Sequence, residues 1–407
     1  MLKCGLLGGK LPHSYSPMIH GMLGDYDYSL FEKEEDKLQT FLESDEWDGL
    51  NVTIPYKKAV IPFLSSLSDT ARAVGSVNTI VRNAEGELFG DNTDVYGFME
   101  MVRHSGIFVE DKKVLVLGSG GASQSVVYAL RIMNARPIVI SRSGEDNYSN
   151  LNKHSDAEII VNTTPVGMYP NVEETPLDIG IFPKLSGVLD IIYNPSKTTL
   201  LLQAEKLSVP SENGLYMLVT QAKRSSEIFT GKNIEDGIVD RIFHKLEANM
   251  KNIVLIGMPG VGKSTIARII SKKTGRVIVD SDDEIVKRYK RTPEEIITND
   301  GEEAFRLIEE AVLRDIGKQS GLVLSTGGGA VTRENNYDSL HRNGTIVWLK
   351  RDISTLEDSG RPLSQKIGIE KLYEQREPMY RRFADYIVEL ENDLENAACA
   401  ILDCMKC

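Results

Sequence analysis

Apolar, β-branched runs of strand length alternate along the chain with segments whose apolar positions recur at helical spacing. The runs Lys3–Leu7, Lys113–Leu117, Pro137–Ile140, Glu158–Val161 and Val188–Ile191 read as strands. So do Ile253–Ile256, Val277–Val279, Leu322–Ser325 and Thr345–Leu349. This alternation predicts an α/β fold with parallel sheets throughout. Two of the strands pass directly into glycine-rich turns, Gly118–Ser123 and Gly257–Thr265, each followed by a helical run. Each turn opens a nucleotide-binding unit of its own. The junction between them, His244–Asn252, is short and neither Pro-rich nor Gly/Ser-rich, so free tumbling of two domains is not implied. No internal repeat or low-complexity tract interrupts the pattern.

A length of 407 residues, with 41% hydrophobic and 26% charged, suits two or three domains that each bury a core. That composition excludes a disordered, collagenous or disulfide-scaffold protein. The longest apolar runs, such as Val114–Leu117, are too short to span a bilayer. The chain starts Met1-Leu2-Lys3 and enters a glycine-rich turn without a signal-peptide pattern, so a soluble cytoplasmic protein is expected. Formal charge is −12, which disfavours nucleic acid and acidic membrane as partners. Residues 1–249 account for −10 of it and residues 250–407 for −2, so the second segment is the richer in cations. That suits a ligand carrying several negative charges. Of four cysteines, three crowd the end at Cys399, Cys404 and Cys407, with no second pair or His pair nearby to complete a zinc site.

In the first turn, Gly118-Ser119-Gly120-Gly121-Ala122-Ser123, the glycines let backbone approach a pyrophosphate. The following helix, Gln124–Met133, adds N–H donors and a positive dipole end. Ser123 stands where the third glycine of the dinucleotide pattern belongs. About 20 residues further on, an acidic residue for the ribose of NAD is replaced by Ser141-Arg142-Ser143, a cation with flanking hydroxyls. That favours the 2′-phosphate of NADP.

Around this turn a longer series runs in order: His13–Pro17, Asn51–Lys57, Gly75–Thr79, Gly90–Asp94, Asn162–Met168, Asp190–Tyr193 and Gly214–Gln221. Across residues 1–247 it resembles the shikimate dehydrogenases. The resemblance implies a substrate domain over 1–101, completed by helices about 208–247, and a Rossmann-like NADP domain over 102–207. It makes Lys57 and Asp94 the catalytic couple. Reduction of a ketone needs a proton donor near the developing alkoxide, which such a pair supplies. Ser14, Ser16, Thr53, Asn78, Tyr193 and Gln221 would bind a polyhydroxylated ring and its carboxylate, and Thr163, Gly214 and Met217 would join the turn residues around NADP. Two departures from the family are visible. The stretch from Arg142 to Asn162 is short, predicting a truncated crossover helix, and no second basic residue follows Arg142 closely.

The second turn, Gly257-Met-Pro-Gly260-Val261-Gly262-Lys263-Ser264-Thr265, is a full GxxxxGK[ST] match between a strand and a helix. Its backbone N–H groups cradle phosphates, Lys263 reaches the β/γ-phosphates and the Ser264 hydroxyl suits Mg²⁺. Asp280-Ser281-Asp282, Gly301–Arg306, Thr326–Gly329, Gly360–Leu363 and Arg376–Tyr380 then follow, and residues from 250 to about 395 resemble the shikimate kinases. The resemblance implies a P-loop kinase domain over 250–407 taking ATP and Mg²⁺. Asp280 would serve the metal, and Asp282 would orient or deprotonate the attacking hydroxyl. Arg306 and Arg376 would clamp the substrate carboxylate, since guanidinium forks suit bidentate anion binding. Gly327, Gly328 and Gly329 would admit the ring, and Arg361 would close over the transferring group with a lid. That lid reads short and acidic, Thr355-Leu-Glu-Asp-Ser-Gly360, where related kinases carry an arginine near the adenine.

Together these expectations describe one chain that reduces 3-dehydroshikimate with NADPH and then phosphorylates the shikimate formed. Two alternatives stay open at this level. One is a quinate/shikimate dehydrogenase fused to a kinase for a related polyol. The other makes one half a nucleotide-sensing regulator. Retained Lys57, Asp94, Lys263 and Asp282 argue against a half that only binds.

Overall fold

The computed structural model describes residues 1–11, 14–356, 368–390 and 393–405. The chain divides into two units, Met1–Tyr193 with Thr198–Lys245, and Asn194–Lys197 with Leu246–Cys407.

The first unit holds two sheets. One comprises β1 (Lys3–Gly8), β2 (Asp27–Glu32), β3 (Gly49–Val52), β4 (Ser66–Leu67), β5 (Thr79–Arg82) and β6 (Leu88–Asp91), in the order β2-β1-β3-β5-β6-β4. Pairing is parallel on both sides of β1 but antiparallel from β3 to β5 and from β5 to β6. This corrects the expectation of parallel sheets throughout. A parallel return would need a crossover of a dozen or more residues. The link from β5 to β6 is a tight turn in which Asn83 Oδ1 accepts the N–H groups of Glu85 and Glu87. Leu7, Phe41, Trp47, Leu50 and Ile80 fill the core of this lobe.

The second sheet is fully parallel. It comprises β7 (Lys113–Leu117), β8 (Arg136–Ile140), β9 (Ile159–Asn162), β10 (Gly187–Asp190) and β11 (Ser211–Glu212), in the order β11-β10-β9-β7-β8. Val114–Leu117 are completely buried, as a central strand covered on both faces requires. The chain leaves β7 toward β8 and returns on its other side as β9, which opens a crevice beyond the ends of β7 and β9. Between β8 and β9 only a single 3-10 turn forms, Leu151–His154, where a full crossover helix would otherwise stand.

Two helices join these lobes. Asp94–Ser105 leaves the first sheet after β6, and Leu215–Thr230 follows β11. They cross at Gly97, where a Cβ would come within 2.9 Å of both the Gln221 Cβ and the Met217 carbonyl oxygen. The close crossing places Asp94, at the start of one helix, near Gln221 on the other.

The second unit is one parallel sheet of β12 (Asn252–Ile256), β13 (Ile278–Asp280), β14 (Val323–Ser325), β15 (Gly344–Lys350) and β16 (Tyr386–Glu389), in the order β13-β14-β12-β15-β16. β12 is buried along its whole length and ends at the second glycine-rich turn. Among the described residues no helix is long and apolar enough to cross a membrane.

Replacing Gly97 by Val should force the two helices apart. Overpacking of this kind costs ~1–3 kcal/mol, so Gly97→Val is expected to lower the urea midpoint of the first unit. An unchanged midpoint would mean that the helices do not need this close approach.

Candidate active sites

In the first unit a cleft of about 1010 Å³ opens between the two lobes. Ser14, Ser16, Thr53, Lys57, Asn78, Asp94, Tyr193 and Gln221 all line it, with Ala122, Gly214 and Met217 at the side of the second sheet. Lys57 sits on an irregular turn after β3, tied to the next segment by the Val77 N–H bond to its carbonyl. Its Nζ lies 2.6 Å from Asp94 Oδ2. The other carboxylate oxygen, Oδ1, accepts from Asn78 Nδ2 at 2.9 Å. Asn78 is itself fixed, because its Oδ1 accepts the Thr93 N–H at 2.7 Å. Asp94 is also the first residue of its helix, where a negative charge meets the positive dipole end. The pair therefore has one geometry, with the lysine facing the cleft.

Behind it lies a buried polar cluster that no single motif announces. Ser225 Oγ accepts from Asn51 Nδ2 at 2.8 Å and lies 3.1 Å from Thr93 Oγ1 and 2.9 Å from Thr79 Oγ1. Tyr28 donates to Asn51 Oδ1 and stacks on His20, whose burial pulls the imidazole down to a pKa of about 3. These groups share no local sequence pattern: Asn51, Thr79 and Thr93 come from three separate motifs, and His20, Tyr28 and Ser225 from none. At the rim, burial raises the pKa of the Tyr193 hydroxyl, which keeps it a donor.

The residues read as NADP ligands gather at the crevice beyond β7. Gly118 has φ +105, which favours glycine, and a Cβ there would meet Thr163 Oγ1 at 3.0 Å. Thr163 donates to the Leu117 carbonyl. Gly120 and Gly121 face open space at the start of the helix Gly121–Ile132, which has no side-chain cap. Its first N–H groups are thus available to an anion. Ser119, Arg142 and Ser143 are exposed, Arg142 and Ser143 on the bend after β8, while the Ser141 N–H donates to the Asp146 carbonyl.

In the second unit a cleft of about 640 Å³ runs along the phosphate turn. Gly260, Gly262, Lys263, Ser264, Thr265, Asp280, Asp282, Arg306, Gly327, Gly328, Gly329 and Arg376 line it. Val261 does not: its side chain packs in the core, and its N–H donates to the Met258 carbonyl. Among the residues read as ATP ligands it serves the turn from behind. Lys263 Nζ donates to the carbonyls of Gly257 and Met258. Asp280 divides its carboxylate. Oδ1 caps the helix Ser281–Tyr289, and Oδ2 accepts from Ser264 Oγ at 3.1 Å. Arg361 lies outside the described residues, as do Glu357–Gly360 of the acidic stretch before it.

Three buried groups set the charge of this cleft. Asp282 has an unpartnered Oδ1, and burial, with Glu309 and Asp280 adding to it, lifts its carboxyl to about 6. Arg306 donates to Glu309 at 2.6 Å and to Glu302 at 3.0 Å. Glu309 is fully buried with its second oxygen unpartnered, and its pKa is raised by that burial. Sequence reading passed over Glu309, although its spacing of three from Arg306 on one helix face is a signal for pairing. Arg376 donates to the Gly328 carbonyl at 3.0 Å.

Comparison with known proteins follows this division. The shikimate dehydrogenase substrate binding domain model matches residues 6–80, and the shikimate kinase model matches residues 259–406. A shikimate dehydrogenase (NADP(+)) from Clostridium beijerinckii is 34% identical over 267 residues, which cover 61% of this chain and 98% of that protein. The chain belongs to the shikimate dehydrogenase family. Its second unit carries a shikimate kinase domain. Among solved structures, a chorismate mutase/shikimate 5-dehydrogenase fusion from Clostridium acetobutylicum aligns with TM-score 0.58 and 38% identity, over 60% of this chain and 97% of that one. A shikimate 5-dehydrogenase from Thermus thermophilus in complex with NADP(H) and shikimate aligns with TM-score 0.56 and 29% identity, over 60% and 99%. The chain is accordingly a shikimate dehydrogenase (NADP⁺) and a shikimate kinase, with NADP(H), ATP and Mg²⁺ as cofactors. The bare N–H groups at Gly120 and Gly121 fit a pyrophosphate, and the paired Ser264 and Asp280 oxygens fit a hard cation.

The kinase cleft admits one direct geometric check. A Cβ on Gly329 would fall 2.1 Å from Arg306 Nη2. Gly329→Ala should therefore push the guanidinium off Glu309 and leave a buried carboxylate unpaired, at a cost of ~3–5 kcal/mol. The expected result is a lower unfolding midpoint of the kinase unit together with loss of phosphorylation. Wild-type stability and activity in this variant would show that Arg306 is not held as described.

Proposed function

We propose that the dehydrogenase unit reduces 3-dehydroshikimate to shikimate and that the kinase unit phosphorylates the shikimate 3-hydroxyl. The observation that carries the reading is the Lys57–Asp94 pair, fixed by Asn78 in a cleft lined with neutral hydrogen-bonding groups. A ketone that accepts a hydride becomes an alkoxide and needs one proton. Bound NADPH supplies the hydride. Lys57 supplies the proton, and Asp94 holds the ammonium aimed. Ser14, Ser16, Thr53, Asn78, Tyr193 and Gln221 satisfy the ring hydroxyls and carboxylate without adding charge.

The kinase residues divide the second reaction among themselves. Lys263 and the turn's N–H groups hold phosphates, and Ser264 with Asp280 serves Mg²⁺. Asp282, whose Oδ1 has no partner, takes the proton of the attacking hydroxyl. Arg306 and Arg376 hold the substrate carboxylate. Glu302, half-exposed at the start of its helix, is the partner that carboxylate would displace from Arg306. The hydroxyl made by reducing the 3-ketone is the one phosphorylated here, so the product of the first reaction is the substrate of the second. Each reading thus supports the other.

Lys57→Ala should slow NADPH-dependent reduction by ~10²–10⁴-fold, the usual worth of a positioned acid–base group. Phosphorylation of supplied shikimate by the same variant should stay at the wild-type rate. Near wild-type NADPH oxidation would remove Lys57 from the mechanism.

A further inference from the structure

Tyr380 lies in the kinase unit, one helical turn after Arg376 on the helix Ile369–Phe383, and its side chain is buried. Its ring stacks on Trp348 of β15, with centroids 5.7 Å apart and planes 19° from parallel. Trp348 pairs in register with Ile256, the last residue of β12 before the phosphate turn. The Tyr380 hydroxyl donates to the Gly328 carbonyl, the same oxygen that accepts from Arg376. It also lies 3.9 Å from the Met258 sulfur, inside the phosphate turn. Gly328 in turn abuts that turn, since a Cβ there would come within 2.6 Å of the Pro259 ring. One hydroxyl thus touches the loop assigned to the acceptor and the loop assigned to the donor.

We propose that Tyr380 is a positioning residue for phosphoryl transfer, whose hydroxyl fixes the Gly327–Gly329 loop and Arg376 against the phosphate turn. The assignment rests on the reading of this unit as phosphorylating shikimate. In-line transfer demands that acceptor and donor be held at a set separation, and a displacement near 1 Å can cost about 10²-fold in rate. Burial drives the Tyr380 hydroxyl up to about 12, so it remains a donor throughout the working pH range. The stacked ring and the Gly328 bond leave it one orientation.

The test is Tyr380→Phe in the full chain, which keeps the ring on Trp348 and removes only the hydroxyl. The KM for shikimate should rise about five- to tenfold, the size of one lost hydrogen bond to a substrate-contacting segment. The KM for ATP should hold, and ADP released per shikimate 3-phosphate formed should exceed one as water competes for the phosphoryl group. A purely structural role would lower the active fraction while leaving both KM values and that ratio unchanged, and would overturn the proposal. Wild-type chain that forms no phosphorylated product from shikimate would overturn the underlying reading of the unit, and this proposal with it.

Discussion

A buried parallel strand must hand its chain to a helix at one end of the sheet, and wherever neighbouring connections diverge a crevice is left beyond the strand ends. β7 and β12 are both interior and both buried, and each ends in a glycine-rich turn at such a point. Peptide N–H groups are unpaired there because a helix cannot satisfy its own first turn. Affinity for phosphate follows from the topology before any side chain is chosen. Cationic and hydroxyl side chains stand at both points: Arg142 beside the first turn, Lys263 and Ser264 within the second.

The two units hold reactive charge by opposite means. In the dehydrogenase unit the Lys57–Asp94 pair is partly open to the cleft and is aligned by neutral partners, Asn78 above all. The kinase unit buries its charge: Asp282, Arg306 and Glu309 crowd one wall, and two carboxylate oxygens there lack a hydrogen-bond partner among the described residues. Such groups are costly to bury. They belong where a multiply charged nucleotide, its metal and an anionic acceptor meet, since each has an opposite charge to offer.

Much of this was legible in the sequence, for physical reasons. All nine apolar runs overlap strands, with ends that agree to within one residue, because a strand covered on both faces leaves a run of β-branched residues. The phosphate turns were legible because backbone geometry demands glycine there. Elements without that signature escaped. β4 and β11 have two residues each, and the exposed edge strand β2 shows no buried face. The antiparallel pairing of β5 with β6 depends on the short turn at Asn83–Gly86, whose consequence for direction is not written in hydrophobic periodicity. Within the sites, residues inside motifs were found and those acting across distance were not. Ser225 meets Asn51, Thr79 and Thr93 only after the helix Leu215–Thr230 packs against the first sheet. Val261, named with the turn, packs into the core because its neighbours on the strand side are apolar.

The central claim is that one chain performs two consecutive reactions on one carbon skeleton. It is tested most directly by incubating the full chain with 3-dehydroshikimate, NADPH and MgATP and following the products by mass spectrometry. The account predicts shikimate 3-phosphate, with one NADPH oxidised and one ATP consumed for each molecule formed, and none when NADPH is left out. Accumulation of shikimate with no phosphorylated product, or a phosphorylated product formed without NADPH, would contradict it.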